Sequence, residues 1–573
     1  MQAKQITYYN DRYQGSLTEE QCKKLEVLIQ LDKENGVIKD LQHVIYHLSD
    51  EDVDHIINTE SAKGINKPLG TLRDEQTIGV AFMFNAMRCI LGDSVGMGKT
   101  VQTAGLFNLL RKAKERYILS TLKEKGYSVP DKLDETYDSI EMILSMLPHE
   151  EIDRINKELK KEEKEEIRPF RYLVLTEKNL AHQFRKELVK YTGEYVELIA
   201  SGEQKVIEKY VDKNPPTDYA KYSVVGTHAL LTTAGFIAWV EQNRQYGKGF
   251  PFDVLVVDES SCLGGKKSNL IVNGFKEIAK YFSRIVFLNA TPFETKLDIF
   301  YQQLNLLDPQ MLPTRTNFDK RYCVIDYRGM YPKPTGKYKN QSEFKHLIGY
   351  RYFARTRKDK GAKMDECKGG IIYSPLSKVQ KYWLSRSSLN RVVYDCPNHI
   401  DPRIDFIEEN VPKLTSLREL LENECKDADS VLIFVHFKEA QYSLSTWLKQ
   451  HGYSNRVLNG ETKNADRAEI IEGFKQKKYK ILLTNVQKGL NFGDCNYCIF
   501  YSFDPNPSKM IQFEGRTTRS FDIIGKTVYV LCSLGREKKA LDDVVKQRAK
   551  ATADMTNTDL SVIMDLLLGK DET

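Results

Sequence analysis

The stretch GDSVGMGKTVQ, Gly92 to Gln102, contains the residue types that hold a phosphate. A loop that turns a strand into a helix aims backbone N–H groups at an anion, and the helix amino terminus adds its dipole. Gly96 and Gly98 allow close approach, Lys99 offers a charge to the outer phosphates, and Thr100 offers a hydroxyl to Mg2+. Strict G-x-x-x-x-G-K-T spacing asks for glycine at position 93, where this chain has Asp93. A second segment complements the first. In DVLVVDES an apolar run ends in Asp258, followed at once by Glu259. A strand-terminal carboxylate can hold Mg2+, and its neighbour can act on water as a general base. The two together predict nucleotide hydrolysis.

Such residues work only if strands and helices position them. MRCIL (87–91) reads as a buried strand before the phosphate loop, and TVQTAGLFNLL as a helix after it. Apolar runs then alternate with helical segments at 171–176, 222–227, 252–258 and 284–291. A second series occupies 430–437, 456–460, 480–485, 497–503 and 527–533. Short Val/Ile/Leu-rich runs between helices predict parallel sheets covered on both faces. The expected fold class is α/β: two recombinase-like (P-loop) parallel-sheet lobes with a helical N-terminal extension and helical insertions. The expected boundaries are an extension over 1–70, where Ser16 and Glu19 suit a capping box, and a first lobe over 71–310. That lobe carries a charged, solvated helical insertion at about 111–169. A linker or brace over 311–412, a second lobe over 413–545 and a helical tail over 546–573 complete the chain.

Further motifs carry a family resemblance. DSVGMGKT resembles the D-E-x-G-x-G-K-T loop of Swi/Snf-type translocases of helicase superfamily two, in which aspartate is the expected residue at position 93. LRDEQTIGV (72–80) is similar to the upstream glutamine motif, and LNATPF with LDIFYQQLNLLDP (288–309) to the T-G-T-P segment and its helix. FARTRKD (353–359) resembles the basic linker, with Ala354 in place of one arginine. KGLNF (488–492) and DPNPSKMIQFEGRTTRS (504–520) resemble the last two motifs, the second with the Q-x-x-G-R-x-x-R signature. Motif II departs, reading Asp-Glu-Ser-Ser, so Ser261 replaces a histidine that couples the nucleotide site to the other lobe.

The resemblance implies an ATPase that uses ATP and Mg2+ and moves along double-stranded DNA, rather than single-stranded DNA or RNA. It implies catalytic roles for Lys99, Asp258, Glu259, Gln512, Arg516 and Arg519, the arginines reaching the γ-phosphate from the second lobe. Gln76, Gly96, Gly98, Lys99, Thr100, Asp258 and Gly489 would bind nucleotide, with Gln76 reading adenine; Thr100 and Asp258 would hold the metal. Lys266, Lys267, Arg355, Arg357 and Lys358 are candidate contacts to the DNA backbone. A monomeric motor is expected, with a DNA-bound protein as possible partner and a viral or bacterial origin. Two rivals stay open: a strand-separating DNA or RNA helicase, and a nucleotide-binding scaffold without turnover. No segment of the chain reads as the wedge that strand separation requires.

Composition narrows the classes. The 573 residues are 29% charged and lack an apolar run of about 18 residues, which argues against a membrane span. No secretion signal opens the sequence, so a cytoplasmic or nuclear location is expected. The net charge of +6 is mild, so any nucleic-acid surface has to be local. Cys495-x-x-Cys498 has metal-like spacing but no companion pair nearby, and its apolar surroundings predict buried thiols rather than zinc; CPNHI, with Cys396 and His399, resembles a family segment.

Overall fold

The computed structural model describes residues 41–133, 139–162, 164–214, 222–245, 252–264, 269–290, 297–328, 333–355, 368–386, 391–486, 495–504, 510, 513 and 526–542. A small antiparallel pair, β1 (Ile45–Tyr46) and β2 (Leu69–Gly70), precedes the first sheet. That sheet takes β3 (Arg88–Leu91), β4 (Tyr172–Thr176), β5 (Val196–Ile199), β6 (Ser223–Thr227), β7 (Val254–Asp258) and β8 (Arg284–Leu288). A hairpin, β9 (Cys323–Asp326) with β10 (Lys333–Tyr338), comes before its last strand, β11 (Tyr352–Phe353). The second sheet takes β12 (Lys368–Ser374), β13 (Val431–Phe434), β14 (Asn455–Leu458), β15 (Ile481–Thr484), β16 (Tyr497–Phe500) and β17 (Thr527–Ser533).

Both sheets are parallel throughout. The first runs β11-β3-β8-β7-β4-β6-β5 and the second β12-β17-β16-β13-β15-β14. In β7, Leu255 and Val257 enter one core while Val254 and Val256 enter another. Both faces of the strand are therefore dry, which is why its sequence is continuously apolar. The register sets Leu91 and Asp258 on either side of Leu288. The strand that feeds the phosphate loop thus lies two strands from the carboxylate, with β8 between them, about 10 Å at the usual spacing.

The expected linker over 311–412 is not a separate body, which corrects that boundary. Leu312, Phe318, Phe344, Ile348 and Tyr352 are buried in the first lobe's core, and β11 extends its sheet. Beyond it, β12 pairs with β17, and Asp395 meets the buried Lys413 at 2.8 Å. The region's Tyr- and Arg-rich composition hid this division, because Tyr322, Tyr352 and Tyr394 serve as core residues here. Residues 41–70 likewise pack on the first lobe, through Leu41, Val44, Val53 and Ile56. The charged insertion has more structure than a solvated helix. The helix Lys99–Glu124 carries it outward, and Ile118, Leu122, Ile143, Ile155 and Leu159 form a core of their own. The capping box at Ser16 and the tail over 546–573 lie outside the described residues. Among the described residues no helix is long and apolar enough to cross a membrane.

Candidate nucleotide site

The phosphate loop joins β3 to the helix Lys99–Glu124, as its sequence predicts. Gly96 and Gly98 have φ of +85° and +77°, a region that side chains with a Cβ resist. A Cβ at Gly98 would also collide with the Gln76 amide. Lys99 Nζ donates to the Asp93 carbonyl at 2.7 Å, so the lysine lies across its own loop. The Met97 carbonyl accepts from Gln76 Nε2 at 3.3 Å and Gln102 Nε2 at 3.2 Å. Gln76 Oε1 in turn accepts from the Arg73 backbone at 3.1 Å. Gln76, expected to read adenine, is buried and braces the loop from behind. Thr100 sits in the first turn of the helix, half-buried.

Asp93 is where sequence and structure part most usefully. It is fully buried, and Oδ1 accepts from the Arg355 backbone at 3.1 Å and from its Nε at 3.0 Å. Oδ2 accepts from Gln102 Nε2 at 3.0 Å and pairs with Arg355 Nη2. The same guanidinium donates to Gln102 Oε1 at 2.9 Å and to the Glu75 carbonyl, and stacks 4.8 Å from the Phe353 ring. Arg355 has no exposed surface. The expectation that it contacts DNA phosphates is therefore corrected: its planar fork is consumed inside the lobe, tying the phosphate loop to β11. Aspartate at 93 is the acceptor that this buried arginine requires.

The carboxylates stand at the carboxyl end of β7, where open parallel sheets place their ligands. Thr176, at the corresponding end of β4, donates to Asp258 Oδ2 at 2.8 Å. His228, just past β6, donates its Nε2 proton to the Asp258 carbonyl at 2.8 Å. Burial is the main force on the Asp258 carboxyl and the negative Glu259 beside it the second; together they push it up to about 7, against the pull of Thr176 and Lys99. Glu259 has a φ of +48°, an uncommon left-handed conformation for a side chain of its size. Ser260 next to it is anchored to Gln303 Oε1 at 2.6 Å.

Magnesium suits this setting. A half-buried carboxylate short of positive charge, across from a helix that begins Lys99-Thr100, offers the hard oxygen donors that Mg2+ takes. Among the described residues no three His, Cys, Asp or Glu gather into a protein-only cage. Mg2+ arriving with phosphates needs just one or two protein oxygens.

Gly489, Gln512, Arg516, Arg519, Lys266, Lys267, Arg357 and Lys358 lie outside the described residues. Phe513, inside the Q-x-x-G-R-x-x-R signature, is buried against Phe434 and Phe500 at ring distances of 4.7 and 5.4 Å. Cys495 and Cys498 are buried in the second lobe, with Cys495 donating to the Tyr497 carbonyl at 3.3 Å. Cys396 Sγ bonds Asn398 Oδ1 at 3.0 Å. Thr176, His228, Gln102 and the structural use of Arg355 were not foreseen. Gln102 lies in the loop stretch itself, nine residues from Asp93, but the other three belong to distant segments, and a lone Thr or His at a strand end carries no sequence signal.

A phosphate loop and paired carboxylates on one parallel sheet, with a second parallel lobe after it, define a two-lobed P-loop class. Comparison with known families is more specific. Residues 20–441 match the family described as SNF2-related domain, and 412–521 match the helicase conserved C-terminal domain. The chain belongs to the SNF2-related family. It is 23% identical over 526 residues to Chromodomain-helicase-DNA-binding protein 1-like of Danio rerio, covering 85% of this chain and 44% of that protein. DNA repair and recombination protein RAD54B of Gallus gallus is 21% identical over 454 residues, 67% of this chain and 47% of the relative. The chain thus spans less than half the length of these curated relatives. Among solved structures, the Sulfolobus solfataricus SWI2/SNF2 ATPase core in complex with dsDNA aligns with 87% of this chain and 97% of that one, at 17% identity and TM-score 0.35.

Proposed function

We propose that this protein hydrolyses ATP and uses the energy to move along double-stranded DNA, remodelling protein–DNA or branched DNA structures. The observation that carries the reading is the conjunction at the edge of the first sheet. A left-handed glycine loop with Lys99 faces, across the intervening β8, a half-buried Asp258 whose carboxyl is raised by desolvation and Glu259 despite the pull of Lys99. The SNF2-related match over most of the chain supports duplex DNA as the track.

In this mechanism the loop amides and Lys99 bind the β- and γ-phosphates, which releases Lys99 from the Asp93 carbonyl. Asp258 and Thr100 would hold Mg2+, which would neutralise charge on the phosphates. Thr176 and His228 keep Asp258 oriented, and Glu259 accepts the proton of the attacking water. Arg516 and Arg519 supply positive charge at the γ-phosphate when the second lobe closes, a contribution of about 10³–10⁵ in rate for such residues. Closure and reopening on the DNA backbone then accompany each turnover.

ATP turnover measured side by side with duplex DNA, single-stranded DNA and RNA tests this. Duplex should stimulate most, and Arg516→Ala or Arg519→Ala should slow turnover while sparing ATP binding. In a displacement assay the protein should strip the third strand from a triplex and leave a forked duplex paired. Efficient fork unwinding without triplex displacement would replace the reading with a strand-separating helicase. Absence of any turnover would leave a nucleotide-binding scaffold.

A further inference from the structure

Residues 320–339 hold six basic side chains (Lys320, Arg321, Arg328, Lys333, Lys337 and Lys339) and one acid, Asp326, a net charge of +5 where the whole chain carries +6. Nearly all of the protein's charge excess is thus concentrated in the β9–β10 hairpin and its entrance. The fold explains how the segment stands. Cys323 is buried and Ile325 and Tyr338 pack on the first lobe's core, while the Lys339 amide bonds the Tyr322 carbonyl at 2.9 Å. The opposite side is open: Val324, Tyr327, Lys337 and Lys339 are exposed, Tyr327 at 68%. Two of the charges are neutralised locally, Arg321 by Glu343 at 2.6 Å and Arg328 by Asp326 at 2.9 Å. Lys320, Lys337 and Lys339 have no carboxylate within ion-pairing distance among the described residues.

A two-stranded ribbon anchored on one face, with uncompensated lysines on the other, matches a polyanion rather than an apolar partner. Lysine is a compact point charge suited to phosphate oxygens. A ribbon of two strands also has the width that the major groove of a duplex admits. We infer that the β9–β10 hairpin is a DNA-backbone contact of this protein, with Lys337 and Lys339 each meeting a phosphate of the duplex. The inference rests on the proposed function for its choice of duplex DNA, and it extends that reading to a surface that no motif marks.

Its test is binding, so that it stands or falls apart from turnover. Affinity for a fluorescent duplex is followed by anisotropy across about 50–200 mM salt, where each phosphate contact contributes about 0.9 to the slope of log affinity against log salt. Lys337→Gln with Lys339→Gln should lower that slope by about 2 and weaken binding about tenfold or more. The charge-matched control is Lys205→Gln with Lys209→Gln, exposed lysines on the helix Gln204–Lys213, which should leave the slope unchanged. An unchanged slope in the hairpin variant, or an equal loss in the control, overturns the inference. So does a hairpin variant that loses affinity for poly-glutamate while keeping its duplex affinity, since the partner would then be an acidic polypeptide. A wild-type protein whose turnover ignores duplex DNA would sink the motor reading instead, and the slope would still decide the hairpin's contact.

Discussion

The two ends of β7 carry the same residue type in opposite electrostatic situations. At the amino end, Asp253 accepts from Arg168 through both carboxylate oxygens at 2.9 Å, from Lys114 at 3.1 Å and from the Arg171 amide at 2.8 Å. Burial opposes its charged form, but the two cations and the amide outweigh it and hold the carboxyl below the usual aspartate range. At the carboxyl end, Asp258 has one hydroxyl donor and an acid for a neighbour, and its carboxyl is pushed up to about 7. Saturated with partners, Asp253 pins the helical insertion to the lobe. Undersupplied, Asp258 keeps the carboxylate oxygens that the proposed Mg2+ would take. A half-buried carboxylate whose charge the fold has not matched marks function, and a matched one marks architecture.

Breaking the carboxyl end should give the largest effect. Asp258→Asn should lower turnover on the order of 10³-fold, and Glu259→Gln should do the same while still binding ATP. Lys99→Ala should abolish nucleotide binding, as calorimetry would register. Thermal unfolding should hardly change for Glu259→Gln and Lys99→Ala, and a large stability loss in Asp258→Asn at neutral pH would erase the contrast between the two ends.

Breaking the amino end should cost stability instead. Asp253→Ala strands Lys114 and Arg168, both buried, at about 3–5 kcal/mol by denaturant unfolding. Arg355→Ala strands Asp93 in the same way, and its loss should appear in unfolding rather than in the salt slope of DNA binding. A salt slope lowered by Arg355→Ala at unchanged stability would restore the DNA role.

The two ends should also respond to pH with opposite sign. The Asp258 carboxyl is raised in the folded state, so its contribution to stability is full in acid and is lost as pH rises through about 7. Asp253 is lowered, so its contribution is present above the ordinary aspartate range and lost as pH falls through it. Wild-type stability minus that of Asp258→Asn should therefore fall between about pH 4 and 7, whereas the comparison with Asp253→Asn should be flat there. A flat Asp258 difference would show that its charge is matched after all. The smallest effect is expected at Thr176→Val, about 1 kcal/mol from one hydrogen bond, with the pH midpoint for Mg2+-nucleotide binding moved upward.

Much of this molecule is written locally. The strands of the sheet interiors, such as VLVVD and ILLT, are dry on both faces, and unbroken apolar runs announce them. Within the two parallel sheets, the strands that escaped sequence reading, β5, β11 and β12, all lie at sheet edges. There one side lacks a strand neighbour and the apolar run shortens: VELI has a half-exposed middle, and Tyr-Phe is two residues long. The phosphate loop, Asp258 and Glu259 were legible because their chemistry depends on neighbours in sequence. Asp93 was visible as a departure from strict spacing, and its family likeness named it without explaining it. The explanation lies in Arg355, 262 residues further on, because the pair forms only when β11 docks beside β3. The same holds for Thr176 under Asp258, 82 residues apart, and for the hairpin lysines that Glu343 and Asp326 leave unmatched. Sequence determined which groups could carry charge and which runs had to be buried. Tertiary structure alone decided which charges met a partner, since whether a buried or surface charge is neutralised depends on distances between segments that the chain order does not contain.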